Sequence, residues 1–146
     1  MKRGIKLKLL FLLFFLFIVN INLSAFRLGL GYTLDTGAHI RLGKFETQVL
    51  FDKDFNVYGL RFYPLETSLK IFDFYTGIET NYISSELLDW GYSLGVFSGL
   101  DKKLIKGLHL NLDLGVFIST LKGFEEFTDW GLVINTKLTW YFLGGK

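Results

Sequence analysis

From residue 26 to residue 142, apolar and polar side chains alternate with a period of two, broken only by short polar or glycine-bearing stretches. Successive side chains of a β-strand point to opposite faces, so this period predicts strands. In the first strand Phe26, Leu28, Leu30, Tyr32 and Leu34 share a face opposite Arg27, Gly29, Gly31 and Thr33. After a turn at Asp35-Thr36-Gly37, Ala38, Ile40 and Leu42 stand against His39, Arg41 and Gly43. The phase flips at Gly43-Lys44, which predicts a tight turn. Phe45, Thr47, Val49 and Phe51 follow on a third strand and, after a turn over 52–56, Tyr58, Leu60 and Phe62 on a fourth.

Pro64 to Ser68 is expected to break the chain before a fifth strand with Phe72, Phe74, Thr76, Ile78, Thr80 and Tyr82 outward of Asp73, Tyr75, Gly77, Glu79 and Asn81. A loop over Ser84–Asp89 leads to Trp90, Tyr92, Leu94 and Val96, and a turn over Asp101–Gly107 leads to the most regular strand. There Leu108, Leu110, Leu112, Leu114, Val116 and Ile118 alternate with His109, Asn111, Asp113, Gly115, Phe117 and Ser119. A loop over Leu121–Asp129 precedes the last strand, which carries Trp130, Leu132, Ile134, Thr136, Leu138, Trp140 and Phe142 on its apolar face. Eight strands and no stretch of helical period predict an all-β chain.

One apolar and one polar face fit either a soluble barrel with its apolar face inward or a membrane barrel with that face toward lipid. The apolar faces as drawn hold no Lys, Arg, Asp, Glu or His, and a cation at the bilayer midplane costs about 2–4 kcal/mol. The apolar face is also sorted by depth. Tyr32, Phe51, Tyr58, Tyr82, Trp90, Tyr92 and Trp130 fall at one rim, with Phe26, Phe45, Phe62, Phe72, Trp140 and Phe142 at the other. Two aromatic girdles around an aliphatic band suit the two headgroup regions. Glycine crowds the polar face, where it weakens strands unless large side chains need the room. Arg27, Arg41, Arg61 and Lys137, together with Glu46, Asp73, Glu79, Asp113, His39 and His109, are the candidate lumen network. The expected fold is therefore an eight-stranded antiparallel up-and-down transmembrane β-barrel.

Residues 1–25 differ from the rest. Lys2, Arg3, Lys6 and Lys8 precede the apolar run Leu9–Val19, and Leu23-Ser24-Ala25 ends in a small residue. Eleven apolar residues fall short of the roughly 20 a spanning helix needs. The layout predicts a cleavable secretory signal over 1–25 and one barrel domain over 26–146. Of the chain's sixteen basic residues four lie in this segment, leaving twelve against fourteen acidic ones, a net of −2. Nucleic-acid binding thereby loses its electrostatic support. The absence of cysteine excludes disulfide scaffolds, thiolate metal sites and cysteine nucleophiles.

The whole chain after residue 25 resembles the small eight-stranded outer-membrane barrels of the OmpA and OmpX type, and Trp140 and Phe142 resemble their aromatic C-terminal assembly signal. The resemblance implies export to the outer membrane of a double-membrane bacterium, contact with its lipid and use of the barrel-assembly machinery. With an even strand number both ends are periplasmic, the 43–44, 64–68 and 101–107 segments are periplasmic turns, and 84–89 and 121–129 are outer loops. A structural or surface role without catalysis or cofactor is expected, against two alternatives: a soluble periplasmic lipocalin-like barrel holding an apolar ligand, and a membrane-embedded lipid-modifying enzyme.

No catalytic constellation stands out. Gly91-Tyr92-Ser93-Leu94-Gly95 matches the nucleophile-elbow pattern, but an elbow needs a strand-to-helix turn and this stretch lies within a strand. His109 and Asp113 share a face without a third metal ligand at suitable spacing. Asp-Trp-Gly recurs at 89–91 and 129–131, as two hairpins of similar length would place it.

Overall fold

The computed structural model describes residues 27–34 and 37–144, which form eight antiparallel strands closed into one barrel in chain order. The expected signal segment, Phe26 and the Asp35-Thr36 turn residues lie outside the described residues. The strands are β1 (Leu28–Thr33), β2 (Gly37–Leu42), β3 (Phe45–Phe51), β4 (Asn56–Ser68), β5 (Asp73–Ser84), β6 (Trp90–Ile105), β7 (Leu108–Lys122) and β8 (Glu126–Leu143). Among the described residues there is no helix.

Three connections differ from the sequence expectation, each because a strand runs on. β4 does not stop at Pro64 but reaches Ser68, its register slipping between Phe62 and Leu65. Proline has no N–H to donate, and an irregularity in the ladder accommodates it. The turn instead spans 69–72, closed by the Leu69 N–H donating to the Phe72 carbonyl at 2.9 Å. Phe72 therefore lies in a turn, half-buried, rather than on the outward face of a strand. β6 continues to Ile105 and turns only at Lys106-Gly107, where Gly107 adopts a φ of 81° that favours glycine. The expected loop 121–129 is mostly strand, with its turn at 123–125.

The register fixes the shape. Tyr32 faces Ala38, and the row of paired residues continues through Val49, Tyr58, Tyr82, Tyr92 and Thr120 to Thr128. On its other side Tyr32 faces Leu138, so closure shifts the ladder by 138 − 128 = 10 residues. Ten residues of about 3.3 Å against eight strand spacings of about 4.8 Å tilt the strands by about 41°. Each residue then rises about 2.5 Å along the axis. The wall is uneven: β1–β3 have six or seven residues and β6–β8 have fifteen to eighteen.

Arg27 and Gly144 lie at the same end, with the β2–β3, β4–β5 and β6–β7 turns; this is the terminal end. The β3–β4, β5–β6 and β7–β8 turns form the opposite, far end. Side chains are sorted by face. Leu, Ile and Val on the outward face are largely exposed, among them Ile78 at 48%, Val96 at 60% and Leu114 at 55%. The largest fully buried side chains are Arg41, Arg61, Tyr63 and Lys137, all inside the barrel.

Candidate functional site in the barrel lumen

The lumen is built from the polar face of every strand. Register aligns Arg41 with Glu46, Glu46 with Arg61, and Arg61 with Glu79, so charge alternates in sign across β2 to β5. Opposite charges facing one another across paired strands favour that register. Arg61 donates through Nε to Glu79 Oε2 at 2.5 Å and through Nη1 to Asp113, with Glu46 3.9 Å away. Lys137 donates to Glu46 at 2.6 Å and lies 3.4 Å from Asp113. Two cations and three carboxylates thus share one buried cluster. Tyr75 donates its hydroxyl to Asp113, Tyr63 to Glu46 at 2.8 Å, and Gln48 and Asn81 donate to Glu79 at 2.7 and 2.8 Å.

An aromatic layer packs against these ions. Tyr63, Tyr75 and Phe97 meet edge to face with centroids 5.3–6.2 Å apart. The Arg41 guanidinium lies 3.9 Å from the Tyr63 ring centroid and that of Arg61 4.3 Å from Phe97, a favourable placement of cation on ring face. The glycines make this layer possible. Tyr75 lies across from Gly99, Phe97 from Gly77 and Gly115, Phe117 from Gly95 and Tyr141 from Gly29. A Cβ on Gly31 would overlap both the His39 ring and the Leu138 carbonyl.

A second group closes the terminal end. Arg27 lies 3.7 Å from Glu66, 3.7 Å from Asp73 and 3.9 Å from Asp101. Arg41 contacts Glu66 and donates to the Tyr141 hydroxyl at 3.2 Å. His109 Nδ1 pairs with Asp101 at 2.6 Å, its ring edge-on to Tyr141. Arg27, Asp73, Asp101 and His109, with Lys103 and the β4–β5 turn, border a shallow cavity of about 400 Å³.

The structure brings Arg61, Lys137, Glu46, Glu79 and Asp113 together and holds Arg27, Asp73 and His109 apart from them at the mouth. His39 joins neither charge group but bonds Thr139 Oγ1 at 2.9 Å. His109 and Asp113 do not meet. Sequence reasoning missed Asp101 and Glu66, which it assigned to turns. The signal for Asp101 was present: Gly95, Phe97, Gly99 and Asp101 keep the inward phase of β6 without a break. Glu66 lies beyond the irregularity in β4, where the phase from Arg61 no longer carries.

Ser93, the centre of the elbow-like sequence, is a buried strand residue accepting from Asn81 Nδ2 at 2.9 Å. Among the described residues no group of three or more His, Cys, Asp and Glu side chains is arranged to hold a metal ion.

Around the outside, aromatic side chains gather near both rims. Tyr58, Tyr82 and Tyr92 follow one another across β4–β6, Trp90 stacks on Tyr92 at 5.3 Å, and Trp130 is 68% exposed. Toward the terminal end Phe45 and Phe62 pair at 5.0 Å, and Trp140 and Phe142 face outward. The rims differ in charge. At the far end Asp52, Asp54, Glu86, Asp89, Glu125, Glu126 and Asp129 are exposed beside Lys53 and Lys122, a net of −5 among the described residues. Lys44, Lys70, Lys102, Lys103 and Lys106 stand around the terminal end.

These features define a closed eight-stranded barrel with an ion-filled interior and an apolar exterior. Compared with protein-family models, curated proteins and solved structures, the chain matches none.

Proposed function

We propose that the protein is a small outer-membrane barrel of the OmpA and OmpX type, with a structural or surface role and no catalysis, its terminal end in the periplasm. The observation that carries this reading is the inverted distribution of side chains. Arg61, Lys137 and Asp113 are 0–1% exposed, while Leu94, Val96, Ile118 and Leu132 are exposed by 59–67%. A water-soluble barrel buries apolar area at about 25 cal/mol per Å²; this one leaves that area outside and spends its interior on ions. The outward apolar run on β7, Leu108 to Ile118, rises about 25 Å along the axis, the height of the lipid band around such barrels. A tilt near 41° also falls within their range.

The lipocalin-like alternative needs an apolar interior, and Arg61, Glu79 and Asp113 occupy that space. The lipid-modifying alternative needs a reachable nucleophile with its base, and Ser93 is buried against Asn81. A lumen plugged by side chains suits anchoring or surface display better than solute passage.

The test is electrophoresis of washed outer-membrane and periplasmic fractions with and without boiling. A band in the membrane fraction that migrates differently when unboiled supports the barrel reading. A soluble periplasmic protein whose migration does not change on boiling overturns it.

A further inference from the structure

The two rims carry opposite charge, and the charges at the terminal end are also sorted radially. We propose that this end is a docking ring for anionic phospholipid headgroups, a surface that rests on the membrane reading above. The carboxylates at this end, Glu66, Asp73 and Asp101, are engaged toward the lumen by Arg27, Arg41 and His109. Of the lysines at this end, Lys103 pairs with His109 in the β6–β7 ladder and borders the inner cavity, and Lys44 donates to the Pro64 carbonyl at 3.2 Å; three others are left to the outside. Lys102 is on the exposed side of β6 opposite Leu110, and Lys70 and Lys106 occupy exposed turns. Exposed aliphatic side chains accompany them: Ile71 at 73%, Leu104 at 46% and Ile105 at 59%.

A lysine lays its methylene stem along apolar surface and holds its ammonium in the polar layer. That layer is marked here by Trp140, which faces Leu108 at the last pair before the β6–β7 turn. An apolar collar bordered by ammonium groups complements a phosphate-bearing bilayer face, with the collar in the acyl boundary and the lysines among the phosphates. The far rim has the reverse charge and repels the same headgroups. The ring would therefore gather anionic lipid at one end of the barrel and hold the protein upright in the bilayer. A headgroup meeting one lysine near the surface gains about five-fold in local occupancy.

Tryptophan quenching reads this directly, because Trp140 is at the terminal end and Trp90 and Trp130 are at the far end. The full barrel carrying Trp90→Phe and Trp130→Phe is folded into vesicles containing equal phosphatidylcholine and phosphatidylglycerol, with bromine on the acyl chains of one lipid or the other. Brominated phosphatidylglycerol should quench Trp140 several-fold more effectively than brominated phosphatidylcholine. Lys70→Gln, Lys102→Gln and Lys106→Gln together should abolish the difference, as should 0.5 M salt, at about a 4 Å Debye length, should the triple variant not fold. A companion protein retaining only Trp90 should show no preference for phosphatidylglycerol. Equal quenching of Trp140 by both lipids overturns the docking ring while leaving the barrel in its membrane. A preference that survives both the substitutions and salt overturns it as well. Absence of quenching by either lipid instead overturns the membrane reading on which the ring rests.

Discussion

Arg61→Met is the most informative perturbation of the lumen. Arg61 is fully buried and is the main cationic partner of Glu79 and Asp113, with Glu46 3.9 Å away. Its removal changes the central cluster from two cations facing three carboxylates to Lys137 alone facing all three. Lys137 lies 2.6 Å from Glu46 and 3.4 Å from Asp113, so Glu79 loses its cationic partner and keeps only Gln48 and Asn81 as donors. Methionine replaces most of the volume and keeps a contact with Phe97, so the cavity contribution is small. Breaking a buried ion cluster from one side costs about 3–5 kcal/mol. Four kcal/mol is roughly a thousand-fold in the unfolding equilibrium.

Asp113→Asn supplies the comparison. It leaves two cations facing two carboxylates and retains a carbonyl oxygen as acceptor, so its cost should be about 1–3 kcal/mol. Urea titration of the barrel in vesicles, followed by tryptophan emission and by the unboiled gel band, measures both. Glu79→Gln added to Arg61→Met should recover at least about 1 kcal/mol, because it removes a carboxylate left without its cation. An Arg61→Met barrel within about 1 kcal/mol of the native protein, or an Asp113→Asn barrel less stable than Arg61→Met, would show that the balance of buried charge does not set the stability of the lumen.

Other substitutions test the remaining layers. Leu112→Arg, on the outward face near the middle of the apolar band, should cost about 2–4 kcal/mol and reduce the unboiled band in vesicles; normal assembly would contradict a lipid-facing β7. Gly31→Ala should destabilise more than Gly95→Ala in urea titrations, because the added methyl meets the Leu138 backbone carbonyl in the first case and only the Phe117 ring in the second. Ser93→Ala should cost only about 0.5–1.5 kcal/mol, the loss of one bond with Asn81, with assembly intact on the gel. A larger effect or a lost activity would reopen the nucleophile reading.

The period-two alternation by itself determined that the described chain is strands and which side chains share a face. Strand geometry fixes that alternation locally, one residue at a time. It was enough to group Arg41, Arg61, Lys137, Glu46, Glu79 and Asp113 on one surface before any pairing was known. It also separated Leu112 from Asp113 and Trp140 from Tyr141. Ends of strands were less legible: Pro64 looks like a turn residue and only the neighbouring ladder shows that β4 continues past it, whereas Asp101 looks like one although the alternation of Gly95, Phe97 and Gly99 runs on to it.

Who meets whom was decided by the tertiary structure. The sequence has no access to the ten-residue shift at closure, which sums the offsets of every turn around the ring. That shift and the pairwise registers bring Arg61 of β4 to Asp113 of β7 and Lys137 of β8 to Glu46 of β3, residues separated by 52 and 91 positions. Asp101 and Glu66 gained their partners in the same way. An ion pair inside a barrel is a property of closure, and closure is long-range; the facing of a side chain is short-range, and one strand suffices to set it.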